Sequence, residues 1–186
     1  MIKLNKNDFD ISMHPVTIWF TGLSASGKTT LSTKLYKDLK ALGVENIVLL
    51  DGESIRDEMK NYDFDNSSRE KISYQKAIIA QKFNKEGNIV LVSGITHKAK
   101  SRLHNRNNID NYYEVYLKCD VNICAERDYK NQYIKAFAGE YDNFIGVTEK
   151  YEEADIADLT LYTGLKSLNE CSSLLLKNIN TLLGLD

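Results

Sequence analysis

Between residues 22 and 29 the chain reads Gly22-Leu23-Ser24-Ala25-Ser26-Gly27-Lys28-Thr29, which fits G-x-x-x-x-G-K-[ST]. These residue types, at this spacing, grip a phosphate chain. Glycine lets the backbone turn through conformations closed to residues with a Cβ, so that successive amide N–H groups converge on one anion. Lys28 adds a mobile positive charge, Thr29 offers a hydroxyl to Mg²⁺, and a helix beginning at Lys28 and running on through Thr30 points its positive end at the same anion. The context agrees with the motif. The apolar run Val16-Thr17-Ile18-Trp19-Phe20-Thr21 reads as a strand ending one residue before the first glycine. Leu31, Leu35, Leu39 and Leu42 follow at helical spacing with Gly43 as a stop signal. The stretch is read as a nucleoside triphosphate site, with Lys28 as a catalytic cation and Thr29, helped by waters, as the metal contact.

Phosphoryl transfer asks the protein for cations, for oxygens that organise Mg²⁺ and for a carboxylate that orients the acceptor. Asp51 and Glu53 follow the apolar run Asn46–Leu50 and are the candidate catalytic carboxylates. Carboxyl ends of parallel strands face the ligand crevice, and this strand is expected to neighbour the one that carries the loop. No aspartate follows the run Ile89–Val92, so the metal rests on Thr29, the phosphates and water. Arg56 and Arg69 are placed to clamp an acceptor phosphate bidentately. Arg127, Lys130 and Lys135 fall in a polar, aromatic stretch that suits a cover closing over the reaction. Phe64 and Phe144 have faces that stack on a nucleobase, and Thr96 and His97 leave a strand on the carboxyl side.

Strands at about 16–21, 46–50, 89–93, 113–117 and 159–162 alternate with helical patterns at about 28–42, 67–86, 98–106 and from Leu168 onward. That alternation predicts an α/β fold, a parallel sheet with helices on both faces. Ser67 or Ser68 is the expected cap of the second long helix, and the basic stretch Lys98–Arg106 is expected to be solvated. The expected organisation is an arm over residues 1–14 and one domain over 15–186, with a lid over about 127–150. The chain has 186 residues, 42% of them apolar, and a net charge of -2, so no overall basic field draws a polynucleotide or an acidic membrane surface. Three cysteines without a CxxC pair read as free thiols. Nothing in the first twenty residues reads as an export signal, and the expectation is a cytoplasmic protein.

Several segments together resemble the adenylylsulfate kinase family, whose members phosphorylate the ribose 3′-hydroxyl of adenosine 5′-phosphosulfate. They are Trp19-Phe20-Thr21-Gly22-Leu23-Ser24, Leu50-Asp51-Gly52-Glu53 with Ile55-Arg56, and Glu126-Arg127-Asp128 continuing through Lys130, Tyr133, Lys135 and Ala138-Gly139-Glu140. Asn143-Phe144-Ile145-Gly146 and Tyr151-Glu152 complete the series. The resemblance implies a P-loop kinase fold, ATP with Mg²⁺, and a small-molecule nucleotide acceptor touched by Arg56, Phe64, Arg69, Ile95, Thr96 and Phe144, with a lid around Lys130. From charge and hydropathy, no membrane and no polynucleotide partner are expected, and a homodimer is left open. The departures fall on the acceptor side. The family's Asp-Gly-Asp is Asp51-Gly52-Glu53, an asparagine and two arginines expected after Arg69 are Ile72, Tyr74 and Gln75, its Ile-Ser-Pro is Ile95-Thr96-His97, and a lid arginine is Phe137. Such losses change substrate choice strongly. A diverged member that phosphorylates cytidine diphosphoramidate is therefore the competing reading. From another class, a nucleotide-binding switch or a catalytically silent binding domain is the alternative.

Overall fold

The computed structural model describes residues 15–50 and 65–185, with Ile55, Asp57 and Lys60 from the stretch between. The expected arm and the candidates Asp51, Glu53, Arg56 and Phe64 lie outside the described residues. Five strands form one parallel sheet: β1 (Thr17–Gly22), β2 (Ile47–Leu50), β3 (Ile89–Ser93), β4 (Tyr112–Lys118) and β5 (Leu159–Tyr162). Between and after them run helices α1 (Lys28–Ala41), α2 (Asn66–Lys85), α3 (Ala99–Asn108), α4 (Val121–Glu126), α5 (Gln132–Phe137) and α6 (Leu168–Leu183). None of the described helices is long and apolar enough to cross a membrane.

The sheet order is β2-β3-β1-β4-β5. This corrects one expectation, since β3 stands between β1 and β2. The pattern of burial explains the placement. Every residue of β1 and β3 is buried, which suits central strands covered on both faces, whereas three of the four residues of β2 are only half-buried, which suits an edge.

One face of the sheet is covered by α1 and α6. Leu31, Leu35 and Leu39 of α1 meet Leu175 and Ile179 of α6 and Ile18, Phe20 and Leu117 of the strands. Burying each such side chain contributes roughly 2 kcal/mol. On the other face Ala77 and Ala80 of α2 pack against Trp19, Val90 and Val92. Small residues there bring the helix close to the sheet. Asp65, rather than either serine, caps α2, its carboxylate accepting from the amides of Ser67 and Ser68. A second correction concerns α3, which is not solvated throughout, because Ser101, Arg102 and Asn105 are buried.

Candidate active site

The loop between β1 and α1 has the backbone that its glycines permit. Gly22 sits at φ 144°, and a Cβ there would stand 2.6 Å from the Leu117 carbonyl oxygen, so both conformation and space require glycine. Gly27, at φ 101°, opens α1 without a side-chain cap, and no acidic residue occupies the first turn. The amides of that turn are therefore left to an anion. Lys28 Nζ folds back onto the carbonyls of Gly22 and Leu23, and the buried hydroxyl of Ser26 has no partner. An unpartnered hydroxyl, an uncapped helix and a lysine bonded to its own loop fit a triphosphate tail.

Burial lowers the Lys28 ammonium to about 8. The Cys124 thiol works the other way, and the Lys76 ammonium adds to the fall. A bound polyanion reverses the dominant cause by restoring charge partners. Above pH 8, then, where the free protein holds Lys28 neutral, triphosphate binding takes up a proton. Nucleotide affinity is expected to be flat between pH 7.5 and about 8 and to weaken by up to about tenfold per unit above it. Calorimetric titrations in buffers of different ionisation enthalpy check this, since proton uptake should approach one per site near pH 9; zero uptake there would remove Lys28 from the phosphate contacts.

The loop forms the floor of a cleft of about 1150 Å³ with two wings. Toward β4 and β5 it is lined by Arg127, Asp128, Lys130, Thr163 and Lys166; toward β3 it is lined by Arg69, Ile72, Ser73 and Lys76 of α2 and by Ser93 to Lys98. Arg127 donates to the Thr163 carbonyl at 2.9 Å, and Arg69 donates to the Asn143 carbonyl at 2.9 Å. The exposed Thr29 stands at the mouth of the loop. No group of three or more His, Cys, Asp or Glu among the described residues is placed to hold a metal.

The segment Gly94–His97 is held from three sides. The Thr21 hydroxyl donates to the Ile95 carbonyl at 2.7 Å and meets the Tyr151 hydroxyl at 2.8 Å. Trp19 Nε1 donates to Thr96 Oγ1 at 3.0 Å, pinning a β-branched residue at φ 41°, a conformation such residues rarely adopt. Arg102, buried beneath, donates to the carbonyls of Thr96, Glu152 and Glu153 at 2.8–2.9 Å. His97 is buried with Nε2 unpartnered. Burial first, then the charges of Lys98 and Arg69, lower its imidazole to about 4, against the pull of Glu149 and Glu152, so it is neutral at pH 7.

The expected lid is tied to the phosphate loop at its centre. Tyr133 of α5 is fully buried, its hydroxyl donates to the Ser24 carbonyl at 3.0 Å, and its ring meets Phe144 edge-on at 4.8 Å. Phe144 also stacks on Tyr141, and it is not on the cleft wall. Tyr133, Ala136 and Ile145 are buried, Ile145 against Tyr116 of β4 and Tyr151, which the polar composition of the cover did not suggest.

Residues 14–162 match the family model described as adenylylsulphate kinase. The chain belongs to the adenylylsulphate kinase family. It is a kinase, a phosphotransferase acting on a hydroxyl group. Among curated relatives it is 35% identical over 167 residues to a cytidine diphosphoramidate kinase of Campylobacter jejuni, covering 89% of this chain and 97% of that one. It is 38% identical over 154 residues to an adenylyl-sulfate kinase of Deinococcus deserti, covering 82% and 84%. A solved Mycobacterium tuberculosis APS kinase, in complex with AMPPNP and APS, superposes with a TM-score of 0.82 at 28% identity, covering 90% of this chain and 99% of that one.

The departures from the adenylylsulphate kinase pattern are not equivalent in space. Ile72 is on the cleft wall. Tyr74 is turned to Glu70, to which its hydroxyl donates at 2.8 Å, and its ring packs on His104; neither it nor Gln75 lines the cleft. Phe137 is half-exposed beside Tyr133. The cleft is also lined by residues that the sequence reading passed over, Ser73 and Lys76, and Arg102 lies beneath it, bonded to the Thr96 carbonyl. Lys76 had one signal, a charge standing in the apolar pattern of Ile72, Ala77 and Ala80.

Proposed function

We propose that this kinase transfers the γ-phosphoryl group of ATP to the ribose 3′-hydroxyl of a small nucleotide, with adenosine 5′-phosphosulfate as acceptor and 3′-phosphoadenosine 5′-phosphosulfate as product. The observation that carries this reading is the two-winged cleft, with a phosphate loop and an uncapped helix at its floor and a cation-bearing wing on either side. Two nucleotides fit such a cleft end to end. In this reading Lys28 and the loop amides from Gly22 to Thr30 hold the triphosphate, with Arg127 on the ATP wing. Arg56, Phe64, Arg69, Ile95 and Thr96 serve the acceptor, Lys130 and Phe144 belong to the cover that closes over the cleft, and Asp51 and Glu53 supply the carboxylate that orients its hydroxyl. The Thr29 hydroxyl would hold a Mg²⁺ ion, which when bound would supply charge neutralisation to the transferring group.

One observation favours a second acceptor. Ile72 replaces a hydrogen-bonding amide on the acceptor wing, so a terminal group with less charge than a sulfate is better matched there. Cytidine diphosphoramidate is such a molecule. Incubation with ATP, Mg²⁺ and each acceptor in turn, followed by ADP release, tests both readings. Acceptor-dependent ADP is expected from one of them and little from the other, since mismatched polar groups discriminate strongly. No acceptor-dependent ADP from either would remove both assignments.

A further inference from the structure

Two thiols that carry no motif in the sequence meet beside the phosphate loop. Asp120 caps α4, its carboxylate accepting from the Asn122 amide, so Cys119 is the residue before the cap and Cys124 is the fourth of the helix. Side chains at these two positions pack on one another across the first turn, a contact commonly made by two aliphatic groups. Here sulfur faces sulfur. Cys124 is fully buried; burial first, then the Cys119 thiol beside it, push its thiol up to about 12, against the pull of Lys28 and Tyr133. Cys119 is half-buried, and its sulfur accepts from Arg127 Nη1 at 3.7 Å.

Each sulfur touches a group that belongs to the cleft. Arg127 ends α4, lines the wing toward β4 and β5 and donates to the Thr163 carbonyl at 2.9 Å. Tyr133, which stands by Cys124, donates to the Ser24 carbonyl within the phosphate loop. A change in the distance between the two sulfurs is therefore felt at both places. The third cysteine, Cys171, also lies in reach of the Arg127 charge, but it is on α6 and belongs to no such pair.

We propose that Cys119 and Cys124 are a modification site for hydroperoxides, at which the two thiols close to a disulfide and so weaken the grip of the adjoining wing on ATP. Cys119 attacks first, because it is the more exposed of the two and the Arg127 cation favours its thiolate. A new S–O bond forms as the O–O bond breaks, and the departing oxygen leaves as water with the thiol proton, so that Cys119 becomes a sulfenic acid. The Cys124 sulfur then attacks the Cys119 sulfur; the S–S bond forms, the S–OH bond breaks, and a second water leaves with the Cys124 proton. Two thiols and one hydrogen peroxide thus give one disulfide and two waters, the two electrons passing from sulfur to peroxide. Closure draws the sulfurs from van der Waals contact to about 2.05 Å, which moves the acceptor of Arg127 and the neighbour of Tyr133 together. Formation of the disulfide is independent of the kinase reading, whereas its effect on ATP rests on that reading.

Peptide mass and nucleotide binding together test the site. Treat the reduced protein with hydrogen peroxide, alkylate it before unfolding, digest it with trypsin without reductant, and titrate AMPPNP with Mg²⁺ into a portion kept folded. Lys118 and Arg127 bracket both cysteines, so a single peptide from Cys119 to Arg127 should appear unalkylated and lighter by two hydrogens. The Kd for AMPPNP should rise by roughly three- to tenfold, as for the loss of one hydrogen bond, and dithiothreitol should restore both readings. Cys119→Ser and Cys124→Ala should neither form the bond nor lose affinity on oxidation, while Cys171→Ser should form it as the wild type does. A peptide alkylated at both thiols after peroxide, or a bond that involves Cys171, overturns the site. A closed peptide with unchanged AMPPNP affinity, or a loss of affinity that persists in Cys124→Ala, overturns its coupling to ATP. Reduced protein that binds no AMPPNP overturns the ATP reading itself, and the mass of the peptide still decides the disulfide.

Discussion

Lys28→Ala is expected to lower kcat/KM by on the order of 10³-fold or more, measured as acceptor-dependent ADP release. The magnitude follows from where the ammonium is held. In the free protein it is half-buried and donates to the carbonyls of Gly22 and Leu23, and burial lowers its pKa. Part of the desolvation is therefore met before a triphosphate arrives, and the charge acts in a medium where it is worth more than in water. The same burial predicts the effect on stability. A cation whose pKa has fallen to about 8 is strained when protonated at pH 7, so removing it should leave the melting temperature unchanged or raise it. Lys28→Arg should not rescue turnover, because a planar guanidinium cannot occupy the space between two converging carbonyls. Activity within tenfold of wild type in Lys28→Ala, in a protein that still melts cooperatively, would show that the chemistry occurs elsewhere.

Why Lys28 was legible in the sequence and Lys76 was not is a matter of range. The phosphate loop is a local device: Gly22, Gly27, Lys28 and Thr29 act through the backbone within one turn, so their spacing alone carries the information. The strands were legible for a related reason, since β1 and β3 are apolar at nearly every position and only a strand buried on both faces needs that. The order of the strands was not. Whether β2 or β3 lies beside β1 depends on how two crossover helices share the faces of the sheet, and the half-buried pattern of β2 is too short a signal to decide it. Side chains that act across the fold were hidden for the same reason. Arg102 reads as one more charge in a basic helix until the fold brings Glu114, Thr96 and Glu152 around it. Tyr74 and Gln75 read as acceptor-site losses because they follow Arg69 closely, yet helical rotation turns them off the face that Arg69, Ser73 and Lys76 share. The cover is an intermediate case. Its polar composition signalled a surface segment, and only the geometry shows Tyr133 fastened to the Ser24 carbonyl.

Arg102→Met should be the most destabilising of the changes considered, by about 3–5 kcal/mol, or roughly 10 °C or more in melting temperature for a domain of this size. Arg102 and Glu114 are 3% and 1% exposed at the side chain, with Nε 3.5 Å from Oε1, so removing the guanidinium leaves a carboxylate in the core. Burial already pushes the Glu114 carboxyl up, against the hydrogen bond from Tyr112 and the charges of Arg102 and Arg106. Without Arg102 that rise grows, and part of the loss should return on acidification as the carboxyl takes up a proton. The sign follows from linkage: a carboxyl whose folded pKa exceeds its unfolded value binds more protons when folded, so its penalty is largest at high pH and fades on acidification. A second effect separates the charge from the scaffold. Arg102 also ties the carbonyl of Thr96 to those of Glu152 and Glu153, and with them the bend that presents Ile95, Thr96 and His97 to the cleft. Adding Glu114→Leu to Arg102→Met should therefore restore a good part of the stability by removing the orphaned charge, while the KM for the acceptor stays raised because three carbonyls remain untied. Thermal melts of the single and double variants at pH 5.5 and 8, set beside their acceptor kinetics, check both halves. Full recovery of acceptor KM in the double variant would mean that Arg102 serves the core alone, and that the strained turn at Thr96 is held by Trp19 and Thr21 without it.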